Sequence, residues 1–170
     1  MKLKNWLVRN HLLVISLRFL APILLLIGVF HLIDTSSTLQ YCFCKSQNLR
    51  FKVETFKIQN KVYHLKTAKS FCEHTMGLMD LSEIGADGMI FYFNQPQILK
   101  FWMKNTNLPL DLAYLDEHMK ITEILHMPVS LTPEDYPIYA SSGPAKYAIE
   151  APLDFFERQN IHVGDTVLSH

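Results

Sequence analysis

The stretch FWMKNTNLPLDLAYLD, Phe101 to Asp116, sets two apolar runs on either side of a polar bend. In extended backbone Phe101, Met103 and Asn105 point one way, while Trp102 and Lys104 point the other. Pro109 has no N–H to donate and biases Leu108 towards extended geometry, so the chain must turn near Asn107. A hairpin-like connection of this kind brings Lys104 opposite Asp111 on one face. Two arrangements satisfy these residues. In one, Trp102, Lys104, Asn105 and Asp111 line a shared pocket, joined by Glu150 from a later strand. In the other, Asn105 and Thr106 bond loop backbone, Asp111 satisfies turn amides and pairs with Lys104, and Trp102 is buried for packing alone.

Working outward, the β pattern continues on both sides. FKIQNKVYHL, Phe56 to Leu65, reads as two strands about a Gln59-Asn60 turn, since Asn tolerates the left-handed conformation. The period then changes. Ala68, Phe71, Cys72, Thr75, Met76 and Met79 recur at helical spacing, which predicts a short amphipathic helix with Thr67 as N-cap, Gly77 just past its end and one face in the core. GMIFYF, Gly88 to Phe93, is nearly continuous in apolar residues and predicts a strand covered on both faces, Gly88 freeing the turn before it. ILKFWM (98–103) and LDLAYLD (110–116) are two more strands, and Glu117 and His118 turn the chain into KITEILHM (120–127). A Pro-rich loop runs from Pro128 to Pro144. KYAIEA (146–151) is another strand, Pro152 suits the first turn of a helix reaching about Asn160, and a Gly164-Asp165 turn precedes a last short strand. Seven or eight short strands with two short helices predict a mainly β sandwich or barrel. A parallel α/β sheet needs longer helices alternating with strands.

The 170 residues are 49% hydrophobic and 19% charged, the balance of a chain that folds. Their zero net charge hides a division. Lys2, Lys4, Arg9 and Arg18 give the first 33 residues four cations and no acid, leaving 12 basic and 16 acidic side chains in the rest. That excess of acid excludes a nucleic-acid binder, which needs cations to displace counterions from phosphates. FLAPILLLIGVFHLI, Phe19 to Ile33, is a 15-residue apolar run. As a helix it reaches only about 22 Å at the usual rise per residue, short of a ~30 Å hydrocarbon core. Counting from His11 lengthens it enough, with Arg18 close to the cytoplasmic side. The flanking cations orient the amino terminus inward. Residues 1–33 therefore read as a signal anchor or a cleaved signal peptide, 34–50 as a spacer, and 51–170 as the folded domain. The domain is expected outside the cytoplasmic membrane, or secreted if the signal is cleaved. Such a compartment permits disulfides. One of Cys42 and Cys44 bridging to Cys72 leaves an odd thiol.

The order of motifs carries a resemblance. GLM (77–79), GMIFYF (88–93), FWMKNTNLPLDLAYLD (101–116), Glu150 in YAIEA and VGDTV (163–167) follow one another as in the domain-of-unknown-function 192 family, which the chain resembles from about Phe56 onward. The resemblance implies a compact, jelly-roll-like domain behind a membrane or signal segment, in bacteria or archaea. It implies no established reaction, cofactor or partner. Two departures stand out. The family carries an Arg shortly after its GLM, where Asp80 and Leu81 stand here, and a Gly after the acidic strand, where Ala151 and Pro152 stand.

These residues suit several chemistries. Asp111 and Glu150 suit paired acid and base in an envelope hydrolase if the fold holds them together. His64, His74, His118, His126 and His162 lack the spacing of a zinc site, and no metal or cofactor is expected. The thioethers of Met76, Met79, Met89 and Met103 suit Cu(I) in an exported protein, although such spacing also suits core filling. The reading that unites the polar groups is a binding or assembly module for a small-molecule or peptide ligand, with Trp102, Lys104, Asn105, Asp111 and Glu150 around its pocket.

Overall fold

A computed structural model describes residues 39–130 and 136–169. The chain divides into two units, Met1–Ser46 and Gln47–His170. Residues 39–46 are helical (α1), where the sequence predicts a spacer without regular structure. The expected membrane helix within 1–33 lies outside the described residues, as does Pro133 of the Pro-rich loop. Among the described residues no helix is long and apolar enough to cross a membrane.

The second unit is mainly β. Its strands are β1 (Lys52–Ile58), β2 (Lys61–Ala68), β3 (Gly88–Gln97), β4 (Lys100–Phe101), β5 (Leu110–Leu115), β6 (Ile121–Met127), β7 (Tyr139–Ala140), β8 (Ala145–Pro152) and β9 (Val167–Ser169), with helices α2 (Phe71–Met76) and α3 (Phe155–Gln159). Seven strands form one sheet in the order β6-β5-β8-β3-β2-β1-β9, and β4 pairs with β7 beside it. Neighbours in the large sheet are antiparallel except β2 and β3, which run parallel and are joined through α2. The sheet is curled into half a barrel. The mainly β expectation holds, but in place of a sandwich or barrel with two short helices there is a curled, mixed seven-stranded sheet with a two-stranded one beside it, and the described residues hold three short helices, since the spacer contains α1.

Both faces of the central strands are covered. Met89, Phe91, Leu110, Leu112, Tyr114 and Ala148 pack on one face with Leu78, Ile84, Leu99 and Met103. On the other, Ile90, Ala113, Leu115, Ile149 and Ala151 pack with Phe155, Phe156 and Ile161. Burying each large apolar side chain contributes about 1.5–3 kcal/mol. The continuous apolar run in β3 follows from this double cover.

Local chemistry explains where boundaries differ from the sequence pattern. Thr67 is not an N-cap, because β2 keeps pairing with β3 as far as Ala68 opposite Phe91. Instead Ser70 caps α2 in a capping box: its hydroxyl accepts from the Glu73 N–H while the Glu73 carboxylate accepts from the Ser70 N–H. Gly77 closes the helix with φ +44°, and no residue of α2 is fully buried. ILKFWM shortens to Lys100–Phe101, the length of its partner β7. Pro152 ends β8 opposite Leu110 and does not open a helix; Leu153 then donates to the Pro109 carbonyl before α3 begins. In the β1–β2 turn the positive φ falls on Gln59 and not on Asn60. The Gln59 amide donates to the Asn160 carbonyl and to Asp165 Oδ2, both at 2.9 Å, which ties the strained residue down.

Gly88 serves close approach and not a turn. A Cβ there would meet the Glu150 carbonyl oxygen at 2.5 Å, so the β3–β8 pairing excludes any side chain. Gly88→Ala is expected to destabilise the domain by roughly 1–3 kcal/mol in urea unfolding. Gly143→Ala, where nothing lies within 4 Å, should be near neutral. Equal midpoints for the two variants would refute this account of Gly88.

Candidate functional site

Glu150 stands on β8 between Met89 of β3 and Leu112 of β5, paired on both sides. It is 6% exposed. Its side chain shares the face of its register partner Leu112, because paired residues project to the same side of a sheet. There it meets a recess of about 40 Å³ walled by the end of α2 and the loop after β4, with His74, Thr75, Phe91, Phe101, Trp102 and Thr106 among its lining. Among the described residues the carboxyl makes no hydrogen bond and no ion pair. Burial alone pushes it up to about 8, so at neutral pH it is largely a neutral acid.

The walls are fixed by short-range contacts. The Asp80 N–H donates to the Asn105 carbonyl at 2.8 Å, joining the segment after Gly77-Leu78-Met79 to the loop after β4. Asn105 makes this possible in a left-handed conformation, φ 53°, which Asn tolerates better than most residues. Thr106 is buried; its hydroxyl donates to the Lys104 carbonyl and its N–H to the Met103 carbonyl. The His74 ring lies 4.7 Å from that of Phe93, and its Nε2 is 3.1 Å from the Ala68 carbonyl. A carbonyl only accepts, so that nitrogen carries hydrogen. Phe101 packs edge-on against Phe91 at 5.0 Å. Trp102 is 42% exposed at the recess, and the Lys104 ammonium lies 5.2 Å from its ring centre.

The five residues expected to share a pocket therefore separate. Trp102 and Glu150 meet in the recess, and Lys104 stands above Trp102. Asn105 shapes the wall through its backbone. Asp111 lies elsewhere, because its neighbour Leu112 takes the Glu150 face and alternation turns Asp111 to the opposite one. The expected Lys104–Asp111 pairing does not form. Asp111 accepts instead from His126 Nδ1 at 2.7 Å, across the β5–β6 pair. Asp111 Oδ2 is buried with no partner. This hydrogen bond raises the exposed His126 above its ordinary pKa, against a smaller opposing effect of burial. The pair opens on a separate cleft of about 490 Å³ beside Phe156 and Ile161. An acid–base couple of Asp111 with Glu150 is thereby excluded, since the sheet stands between them. Met89 and Met103 are core residues, while Met76 and Met79 are half-buried in the recess wall. Cys42 keeps a free thiol; Cys44 and Cys72 are each disulfide-bonded.

The sequence pattern considers His74 and His126 only as metal ligands and Thr106 only as a loop-bonding residue, and places none of them at a site. Thr106 sits inside the quoted motif, and His74 lies on the predicted helix, but only the tertiary fold turns them towards Glu150. His126 is reached by counting from the Asp116 turn, but a register shift at Tyr114/Leu115 throws that count off.

The raised carboxyl predicts a pH dependence. The folded state holds a proton that the unfolded state releases near 4.5. The stability from this group is complete below that pH, falls as pH rises, and is lost by about pH 8. Glu150→Gln should abolish this slope, a relative gain on the order of 4 kcal/mol between acidic and alkaline conditions. Urea unfolding at about pH 5 and about pH 9 measures it; identical slopes in both proteins count against a buried, proton-holding Glu150.

No curated protein matches the chain in sequence. A solved structure from Sinorhizobium meliloti, described as a "putative transcription regulator", is similar in fold: TM-score 0.63, 24% identity, covering 72% of this chain and 97% of its own. A protein of unknown function from Novosphingobium aromaticivorans has a TM-score of 0.61 at 28% identity, covering 69% of this chain and 85% of its own. The profile of the family DUF192, "Uncharacterized ACR", matches residues 53–169, the span that holds the described strands, but for the first residue of β1, and the recess. By that match the chain belongs to the DUF192 family.

Proposed function

We propose that the domain is a ligand-binding module on the outer side of the cytoplasmic membrane, held there by its amino-terminal segment, and that the Glu150 recess receives a small polar head group. One observation carries the binding reading: a carboxyl on the central strand faces a cavity without a protein partner. Burying a carboxyl unpaired costs several kcal/mol, and a glutamine or leucine would spare that cost with little change of shape. A ligand that completes its hydrogen bonding gives the arrangement a use. The size is consistent with this. A water needs roughly 10–15 Å³ of such space, so 40 Å³ takes a few waters or one head group, while the rest of a ligand lies across the exposed ring of Trp102.

Titration of the full-length protein with methylammonium chloride, acetamide, sodium acetate and methanol tests the reading, followed by Trp fluorescence and thermal shift. At least one probe is expected to raise the melting temperature, and Glu150→Leu should remove the effect while the far-UV spectrum stays unchanged. Four probes without effect, or a response that survives Glu150→Leu, would sink it.

The outward placement rests on the apolar run of 19–33 with its preceding cations, and the oxidised state of Cys44 and Cys72 agrees with an oxidising compartment. Cys42 supplies the test, since it is exposed and free. A membrane-impermeant maleimide should label it in intact spheroplasts as fully as in lysed ones. Labelling only after lysis would place the domain inside.

A further inference from the structure

The recess is rich in hydrogen-bond acceptors. Apart from the Trp102 indole and the protonated Glu150 carboxyl, the polar side chains in its walls have spent their donors on the backbone: the Thr75 hydroxyl on the Phe71 carbonyl at 2.9 Å, the Thr106 hydroxyl on the Lys104 carbonyl at 3.2 Å, and the His74 Nε2–H on the Ala68 carbonyl at 3.1 Å. What remains is lone pairs on two hydroxyl oxygens and, in the neutral ring, on His74 Nδ1. The N–H groups of Gly77, Met79 and Thr106 are likewise bound, to the carbonyls of Glu73, Met76 and Met103. The other surfaces are the rings of Phe91, Phe101 and Trp102, whose faces attract cations. Among the described residues no Lys or Arg lines the recess. The ammonium of Lys104, held over Trp102 from outside, shows that this indole already takes such a group.

From this donor–acceptor balance we propose that the recess binds a primary ammonium group, with Glu150 as its counter-ion. The proposal rests on the binding reading above and names the ligand class for the same site. An ammonium brings three N–H donors to a site that offers acceptors, and it fits the small volume. An anion or a lone carbonyl would find only the Trp102 indole N–H and the Glu150 O–H to accept from, and the second is lost once Glu150 ionises. The titratable groups on this side of the sheet are Glu73 and His74 on α2, Lys104 above Trp102, Tyr114 on β5 and its register partner Glu123 on β6. The Glu73 carboxylate accepts from the Lys69 and Ser70 N–H groups and the Glu123 carboxylate from Ser142, and neither lines the recess, so Glu150 is the acid that supplies the charge an ammonium needs. Its carboxyl gives up its proton to solvent water as the ammonium enters, and no bond other than this O–H changes. Binding therefore tightens as pH rises and Glu150 ionises.

Two sources share this chemistry, a free alkylamine and a lysine side chain of a polypeptide. Calorimetric titration of the full-length protein with methylammonium chloride, at about pH 7 and about pH 9 and constant ionic strength, reads the proposal directly. Millimolar affinity is expected for so small a probe, rising about tenfold over that interval. Glu150→Gln, which keeps the shape, should lose methylammonium binding at both pH values, and Thr106→Val, which removes one acceptor, should weaken it severalfold. Tetramethylammonium, which has no N–H, should not bind. If acetamide binds while methylammonium does not, the ammonium assignment is wrong and the binding module stands; if neither these nor acetate and methanol bind, both fail. Equal methylammonium binding by wild type and Glu150→Gln also overturns the assignment. n-Butylammonium and N-acetyl-lysine-methylamide then separate the sources: preference for the first marks a free amine, and for the second a peptide lysine.

Discussion

The structure depends on the enclosure of β8. This strand lies between β3 and β5 with both faces covered, and its residues from Ala148 to Ala151 are all buried. The contact is so close at Gly88 that β3 has no room for a Cβ opposite the Glu150 carbonyl. A carboxyl placed in the middle of such a strand is held largely away from bulk water, at 6% exposure, with no side-chain partner among the described residues. Its raised pKa is a consequence of strand order before it is a property of the recess. The walls formed by α2 and the loop after β4 then decide what meets the carboxyl.

The two faces of the sheet carry different chemistry from adjacent strands. Glu150 looks into a narrow, aromatic space with no partner among the described residues. Asp111, one register pair away, is turned to the other face and spends one oxygen on His126. The separation comes from the alternation of side chains along extended backbone, in which neighbours in sequence end on opposite sides. Glu150 is set against acceptors and ring faces, and Asp111 fixes an imidazole at the mouth of a wider cleft.

Much of the fold is legible in the chain. The apolar run of β3, the alternation in β5 and β6, the turns at Asp116 and Gly164 and the strand around Glu150 all follow from period and turn chemistry. The motif order resembles the family to which the chain belongs. The boundaries of α2 were misplaced by following apolar spacing into Thr67 and Ala68, although Ser70 and Glu73 spell a capping box. The site was legible by halves. Trp102 and Glu150 do come together, and Asn105 does serve its own loop's geometry. The assignment of Asp111 to the same pocket failed because strand order β5-β8-β3 is not written in local pattern. One residue of register decides which face a carboxylate takes.

The strand order also bears on how the domain comes to exist. β8 is made after both strands it separates, so a nascent chain that has reached Ala140 holds β1-β2-β3 and β5-β6 as two incomplete sheets with unpaired inner edges. Such edges pair readily with other chains. The large sheet cannot close until β8, Ala145–Pro152, has been made. The recess appears in that same closing step, because its floor is the inserted strand itself.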